Sequence, residues 1–332
     1  MEKRDEKFYP LELVCIKDTD NNIIFSSYPE DLDKNVGKYS LDDRTYDERE
    51  VDGRNYFVQS GVLYDEKNNK RGSIEVLTDI SNQKRLEREL TKAYLEMQSE
   101  LDFASKIQDK LLPNKGMFRN IRVDYKYLPS KKLSGDLFDV YEIDKNHIGL
   151  YIVDVAGHGV AASMLTVFIR QTIYNIGKNT FQPSRVLKRL QESFKELGLT
   201  PDRYFTIFYA IYNLKDRTLK YANAGHNSIP IIYNDQTYIR LVNYGLPILG
   251  FDIETNYTDK SVTLNDGDHL FLYTDGLIEA KNTDGDEFGE DRVKEIILKS
   301  DGDLLDNLET AINEFSDIET NDDIAMMLLT VI

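Results

Sequence analysis

One cysteine in 332 residues is the most restrictive absence in this chain. A lone thiol, Cys15, closes no intramolecular disulfide, and a reducing compartment fits. It lies within the apolar stretch LELVCIKD and reads as a buried structural thiol. Surplus positive charge is also missing. The 41 Lys and Arg against 58 Asp and Glu leave a formal net charge of −17. Nucleic acid and anionic membrane both need a basic face, so neither is an expected partner. Bound cations would offset part of this acidity. Long apolar runs are missing as well: none approaches the ~20 residues of a spanning helix. The opening MEKRDEKFYP has no apolar core of the kind a signal peptide carries. The expectation is a soluble cytoplasmic protein, long enough for two domains and a connector.

Residues 11–80 read as short strands and turns. LELVCIKD and NIIFSS flank Asp18-Thr19-Asp20-Asn21, which predicts a hairpin. NYFVQSGVLYD and RGSIEVLTDIS predict a second strand pair, joined by DEKNNKRG. The hairpin KDTDNNIIFSS and the stretch GSIEVLTDISNQKRLEREL together resemble a PAS sensory domain, with a stretch between the strand pairs that is short for that fold. The resemblance implies a small PAS-like α+β domain over 1–80. It carries no haem or flavin signature, so a ligand-free dimerising module stands beside a ligand-binding one.

Residues 81–112 follow a heptad. Leu86, Ala93, Glu100 and Ile107 share one core position, and Leu90, Met97, Ala104 and Leu111 the other; only Glu100 is polar. Leu101 can replace Glu100 through a local shift. Ser81 is the expected cap and Pro113 the stop. This predicts a helical linker, as a parallel coiled coil in a homodimer; an amphipathic helix packed on its own domain is the alternative.

From 113 to 332 the strand-like segments are IRVDYKYLP, DLFDVYEID, HIGLYIVDVA, YFTIFYAIYN, LKYANAG, DHLFLYTDG and IAMMLLTVI. Two helical stretches, GVAASMLTVFIRQTIYNIG and one opening at Pro183-Ser184, lie between the third and fourth. Hairpin-like pairs with grouped helices predict α+β layers rather than βαβ alternation. No internal repeat is visible.

Aspartates punctuate these strands. Asp136 opens one, Asp154 and Asp275 end two strongly apolar ones, and Asp322 and Asp323 precede the last. A strand end is a rigid platform beside solvent, so carboxylates there can be aimed at one point. Clustered carboxylates repel and need a cation or protons between them. An oxygen-only donor set suits Mg²⁺ or Mn²⁺, not structural zinc. Taken singly, each Asp-Gly is as well explained as a turn.

The motifs SGDLFD, DVAGHGVAASM, NAGHN, LYTDGLIEA, FGEDR and NDDIAMMLL resemble, in order, those of the metal-dependent serine/threonine phosphatases (PPM, PP2C-like) of the SpoIIE/RsbU branch. DFASKIQDKLLP resembles the linker that precedes such domains. The resemblance implies an αββα sandwich over 113–332, two antiparallel sheets flanked by helices. It implies two Mn²⁺ or Mg²⁺ ions held by Asp136, Asp154, Asp275 and Asp322 with the Val155 carbonyl, Asp154 shared between the ions. Catalysis would centre on Asp136 and Asp154, with Asp139, Asp323, Gly276 and His158 as supporting residues. The choice between Asp322 and Asp323 is ambiguous by one residue, with Asp322 favoured. The implied substrate is a phosphorylated STAS-type anti-anti-sigma protein of a partner-switching pathway. Two ions would activate water for in-line attack, with no covalent phosphoenzyme, as suits a domain without cysteine.

Two positions depart from the pattern: Ala325 stands where threonine is usual and Ala156 where serine is common. Neither removes a ligand. His158 invites a general-acid role, against packing at the turn; His226 in NAGHN invites it less. Lys131 and Lys132 could meet substrate phosphate or simply face solvent. DTDNNI and NTDGDEFGED begin like calcium loops but carry Ile23 and Glu287 where the turn glycine belongs, and read as turns. A catalytically weak phosphatase fold used for binding is the competing function. A two-metal cyclic-nucleotide enzyme is a third, without a nucleotide-binding pattern.

Overall fold

The computed structural model describes residues 12–26, 40–51, 53–65, 67–300, 302–316 and 322–332. The chain divides into two compact units, 1–98 and 99–332, and the division falls inside the long helix.

The first unit is a five-stranded antiparallel sheet. Its strands are β1 (Glu12–Lys17), β2 (Ile23–Ser26), β3 (Ser40–Val51), β4 (Arg54–Tyr64) and β5 (Lys70–Asp79), in the order β2-β1-β5-β4-β3. Both expected strand pairs are present. Cys15, on β1, is only half-buried, less enclosed than its apolar neighbours suggest. Asp18 closes the first turn by accepting from the Asp20 and Asn22 N–H groups at 2.9 and 2.8 Å, with Asn21 at positive φ. The stretch between the pairs falls partly on 27–39, outside the described residues. It also supplies β3, a strand the sequence pattern hides: DDRTYDERE has no apolar face, because β3 is an edge strand whose residues 44–50 are exposed.

Helix α1 (Ser81–Asp109) ends three residues short of the expected 112; Lys110 and Leu111 form a closing turn before Pro113. Its start is held by Asp79, which accepts the Ser81 N–H at 2.9 Å, and not by the Ser81 hydroxyl, which bonds Asn55 instead. Leu86, Leu90 and Met97 of the heptad seam are 53, 72 and 54% exposed, so more than half of each residue is left open by the described residues.

The second unit has four layers. One sheet runs β15-β11-β10-β9-β8, from β8 (Asp136–Asp144), β9 (His147–Val155), β10 (Tyr204–Asn213), β11 (Thr218–Ala224) and β15 (Lys260–Thr263), with β14 (Ile248–Leu249) paired to β10. The other runs β13-β12-β16-β17-β7-β6, from β6 (Gly116–Phe118), β7 (Ile121–Leu128), β12 (Ile231–Tyr233), β13 (Tyr238–Arg240), β16 (His269–Tyr273) and β17 (Ile324–Val331). All these pairings are antiparallel.

Period-two alternation gives each sheet two apolar faces. Phe138, Leu150, Ile152 and Phe208 meet Val123, Leu272, Met327 and Leu329 between the sheets. Leu137, Tyr151, Val153 and Ile207 pack outward against α2 (Val160–Gly177) and α3 (Pro183–Glu196). Phe271, Tyr273, Met326 and Leu328 pack outward against α5 (Gly289–Lys299) and α6 (Leu304–Phe315), with the single-turn α4 (Gly276–Glu279) between β16 and α5. Every strand expected from 113 onward forms, as do both helices.

Candidate active site

The carboxylates lie at strand ends of both sheets, near enough for their charges to act on one another. Asp136 and Asp154 lie directly opposite each other on β8 and β9. By alternation with Phe138 and Ile152, both face the space between the sheets. Like charges at directly opposed positions are destabilising. Asp275 follows β16 and opens α4, and Asp322-Asp323 leads into β17. One sheet therefore presents Asp136 and Asp154, and the other presents Asp275 and Asp322.

Their electrostatics record this crowding. Burial and the Asp154 charge push Asp136 well above the usual carboxylate range. Burial, then the charges of Asp275, Asp322 and Asp323, push Asp154 up to about 7. Asp275 rises to about 6 through burial and the charges of Asp322 and Glu279. Asp322 is raised by burial, against the hydrogen bond from the Asp323 N–H. Glu279, inside the motif LYTDGLIEA but not among its expected ligands, thus joins Asp136, Asp154, Asp275, Asp322 and Asp323 as a sixth contributor. Thr274 is another: its hydroxyl donates toward Asp136 and accepts the Ala325 N–H at 2.9 Å.

Asp323 is spent on structure. It accepts the Ser130 N–H and hydroxyl at 2.7 and 2.9 Å and the Gly135 N–H at 3.0 Å, fastening the loop ahead of Asp136. Among the described residues, the Asp322 carboxylate accepts only the Asp323 N–H. Asn321, of the same motif, lies outside the described residues. Gly276 packs so tightly on this loop that a Cβ there would stand 2.1 Å from the Asp323 carbonyl oxygen. Gly157 and Gly159 both hold positive φ, 94° and 81°, and carry the chain from β9 into α2. Val155 is buried at the end of β9, and its carbonyl oxygen lies close against Gly135.

His158 stands exposed at the rim, with the Lys131 ammonium 3.0 Å from Nε2. Lys132 is taken by Asp102. His226 is instead buried beneath the cluster. Ala325 is fully buried in the inter-sheet core, where its methyl packs, and the hydrogen bonding at that strand end runs through its backbone to Thr274.

Asp139 does not join the cluster. Three residues from Asp136, it falls on the opposite face of β8, where its Oδ2 accepts the Arg170 Nε–H from α2 at 3.0 Å and its Oδ1 accepts the Val140 N–H. Burial raises it to about 6 despite Arg170. Arg170→Met should therefore cost about 3 kcal/mol of stability at pH 8, by leaving a buried carboxylate unpaired. A carboxyl with a raised folded pKa binds more protons folded than unfolded, so stability falls as pH rises through that window. The loss should be smaller at pH 5, where Asp139 can be neutral; urea unfolding at the two pH values checks this.

The donor set fits a hard divalent cation. Asp136 Oδ2 is buried without a hydrogen-bond partner, in a group of carboxylates that raise one another's pKa. A cation would satisfy the orphaned oxygen and offset the repulsion together. Among the described residues, no three acidic, imidazole or thiol groups already close around one point.

The family described as Stage II sporulation protein E (SpoIIE) matches residues 144–332. The chain belongs to the SpoIIE family. Its matched segment includes Asp154, Asp275 and Asp322, while Asp136 lies ahead of it and is placed by the β8–β9 register. The chain is 27% identical over 241 residues to the phosphoserine phosphatase RsbU of Bacillus subtilis (strain 168), covering 70% of each. In fold it is similar to the SiaA-PP2C domain of Pseudomonas aeruginosa, with a TM-score of 0.61 and 19% identity over 72% of this chain and 99% of that one. It is also similar to RsbX crystallised in complex with magnesium, with a TM-score of 0.51 and 16% identity over 66% and 99%. The fold of the SpoIIE-family unit is thus PP2C-like, α+β. Among the described residues, no helix is long and apolar enough to cross a membrane.

Proposed function

We propose that this chain is a metal-dependent protein serine/threonine phosphatase. The observation that carries the reading is Asp136 and Asp154 opposed on one sheet, with Asp275 and Asp322 of the other near enough for their charges to raise Asp154 and a buried oxygen of Asp136 left unpartnered. These four residues, with the Val155 carbonyl, would hold two Mn²⁺ or Mg²⁺ ions. When bound, such ions acidify a water and neutralise phosphoryl charge. The chain's own residues do the rest. Asp323 and Gly276 keep the ligand-bearing loops in contact, and Thr274 fixes the Asp136 carboxylate. Lys131 and His158 form the rim that a phosphoseryl group passes, Lys131 offering it a cation. The relatives supply the class: RsbU is named a phosphoserine phosphatase, and the similar RsbX holds magnesium. The substrate is a phosphorylated STAS-type anti-anti-sigma protein, and the setting a cytoplasmic partner-switching pathway.

The competing reading, a phosphatase fold kept for binding, rests on Ala325, a buried methyl at the strand end where a hydroxyl is usual. Mn²⁺-dependent phosphate release from a phosphoserine STAS protein separates the two. Turnover abolished by chelation supports the phosphatase, and binding without turnover supports the module.

The sheet order β2-β1-β5-β4-β3, followed directly by a helix, supports a PAS-like regulator in the first unit. The exposed seam of α1 supports a homodimer in which a second copy buries Leu86, Leu90 and Met97 and couples sensing to the helix carrying TDGLIEA. Leu90→Lys with Met97→Lys should convert a dimer to a monomer in light scattering. An unchanged mass would remove the coiled coil from the argument.

A further inference from the structure

We propose that His226 is a positioning residue that clamps the two sheets together behind the carboxylate cluster and so sets the distance between its two halves. The inference rests on the metal-centred reading above and extends it to a residue without a ligand's role.

His226 follows β11 and is 3% exposed. Its backbone is held at both ends by one side chain: Asn223 Oδ1 accepts the His226 N–H, and Asn223 Nδ2 donates to the His226 carbonyl, each at 2.8 Å. The ring then bridges the sheets. Nε2 is 3.1 Å from the carbonyl oxygen of Tyr273, on β16. A carbonyl only accepts, so Nε2 carries the proton. The other nitrogen, Nδ1, is 3.3 Å from the Thr206 hydroxyl, on β10. A neutral ring has a lone pair there, so Thr206 donates. The two bonds thus fix one tautomer and one ring orientation.

The anchor points are not arbitrary. Thr206 is the direct cross-strand partner of Asp154, so the two side chains share a face. Tyr273 is followed by Thr274, which hydrogen-bonds Asp136, and by Asp275. One imidazole therefore ties the strand pair that carries Asp154 to the strand that carries Asp275. Asp154 and Asp275 repel each other across the same gap. Without a clamp, that repulsion acts to part the sheets at the end where ligands from both must meet. Burial keeps the ring neutral, with its pKa lowered to about 4, so the clamp adds no positive charge to a site that is to receive cations.

Two substitutions separate the two bonds. In His226→Gln the terminal amide reaches the Nε2 position and can still donate to Tyr273. In His226→Asn the shorter amide reaches only the Nδ1 position, keeps Thr206 and loses the bridge. Calorimetric titration of the 332-residue chain with Mn²⁺ is the readout, with near-UV circular dichroism to establish folding. His226→Gln should bind Mn²⁺ within about 3-fold of wild type, whereas His226→Asn should weaken binding roughly 10- to 100-fold. At saturating Mn²⁺, kcat of His226→Asn should return to within a few-fold of wild type, since no group that touches substrate is lost. Should His226→Asn fail to fold, Thr206→Val carries the test, because it removes one hydrogen bond at nearly constant shape. A loss of Mn²⁺ affinity beyond about 3-fold supports the clamp, and no loss overturns it. Equal Mn²⁺ affinity in wild type, His226→Gln and His226→Asn, with only melting temperatures lowered, overturns the proposal and leaves His226 a packing residue. A wild-type chain that binds no Mn²⁺ overturns the two-metal reading and the clamp with it.

Discussion

Asp154→Asn is expected to remove phosphoserine hydrolysis, by on the order of 10³-fold in kcat/KM, and at the same time to make the metal-free protein more stable. The two effects share one cause. Asp154 faces Asp136 across β8 and β9 and feels Asp275, Asp322 and Asp323, which with burial hold its pKa up at about 7. A carboxyl raised from near 4 to near 7 binds more protons folded than unfolded. Its ionisation therefore costs stability as pH rises through that window, and the cost is complete above it. Removing the charge should return about 2–4 kcal/mol at pH 8. For a unit of this size that is several degrees in melting temperature. Below pH 4 the gain should vanish. Thermal melts in chelator at pH 4 and pH 8, beside phosphate-release assays in Mn²⁺, read both effects. A variant with unchanged turnover would sink the two-metal site, and one less stable than wild type at pH 8 would sink the electrostatic account.

Gly276→Ala is expected to disable the site without touching a charge. The added methyl would stand 2.1 Å from the Asp323 carbonyl oxygen and 2.9 Å from its carbon, both backbone atoms with no side-chain freedom to yield. Either α4 or the 322–323 loop must move, and each carries a proposed ligand, Asp275 or Asp322. A displacement on the order of 1 Å costs about 10²-fold in rate where reacting groups must be held. Overpacking against backbone should also cost about 1–3 kcal/mol. The two measurements are kcat at saturating Mn²⁺ and the urea midpoint. Gly53, at positive φ with nothing within 4 Å of an added Cβ, is the control: its change to alanine should alter stability alone.

Much of the second unit was legible because apolar strands in a sandwich alternate against two faces, and HIGLYIVD or HLFLYTD can be little else. The aspartates closing those runs were visible for the same reason, since a strand end is where polarity returns. The side of β8 on which Asp139 lies was legible too, although the motif points the other way: Asp136 and Asp139 are an odd number of residues apart, and a strand puts such residues on opposite faces. Helices α5 and α6 were passed over because flap-like turn residues and charges frame them; only half of each helix surface needs to be apolar once a sheet face covers it. β3 escaped because an edge strand needs no apolar face. The bridging of His226 to Tyr273 depends on which sheet neighbours which, and no local pattern carries that. The hydrogen bonds that occupy Asp323 come from Ser130 and Gly135, 188 or more residues away in sequence, beyond the reach of any local pattern.

The pairing of β7 with β17 has a consequence for how the protein comes into being. Residues 121–128 find their partner at 324–331, and β17 sits between β7 and β16 in the centre of its sheet. During synthesis, β7 has the short β6 beside it at once but must wait for roughly two hundred residues of chain before its other neighbour exists, and contacts of such separation are slow to form. The strand that fills this gap is also the one introduced by Asp322. An incompletely translated chain therefore lacks the middle of one sheet and a corner of the carboxylate cluster together. Such a fragment retains Asp136, Asp154 and Asp275 but lacks the proposed ligand Asp322, so the proposed metal site stays incomplete until the last strand is made.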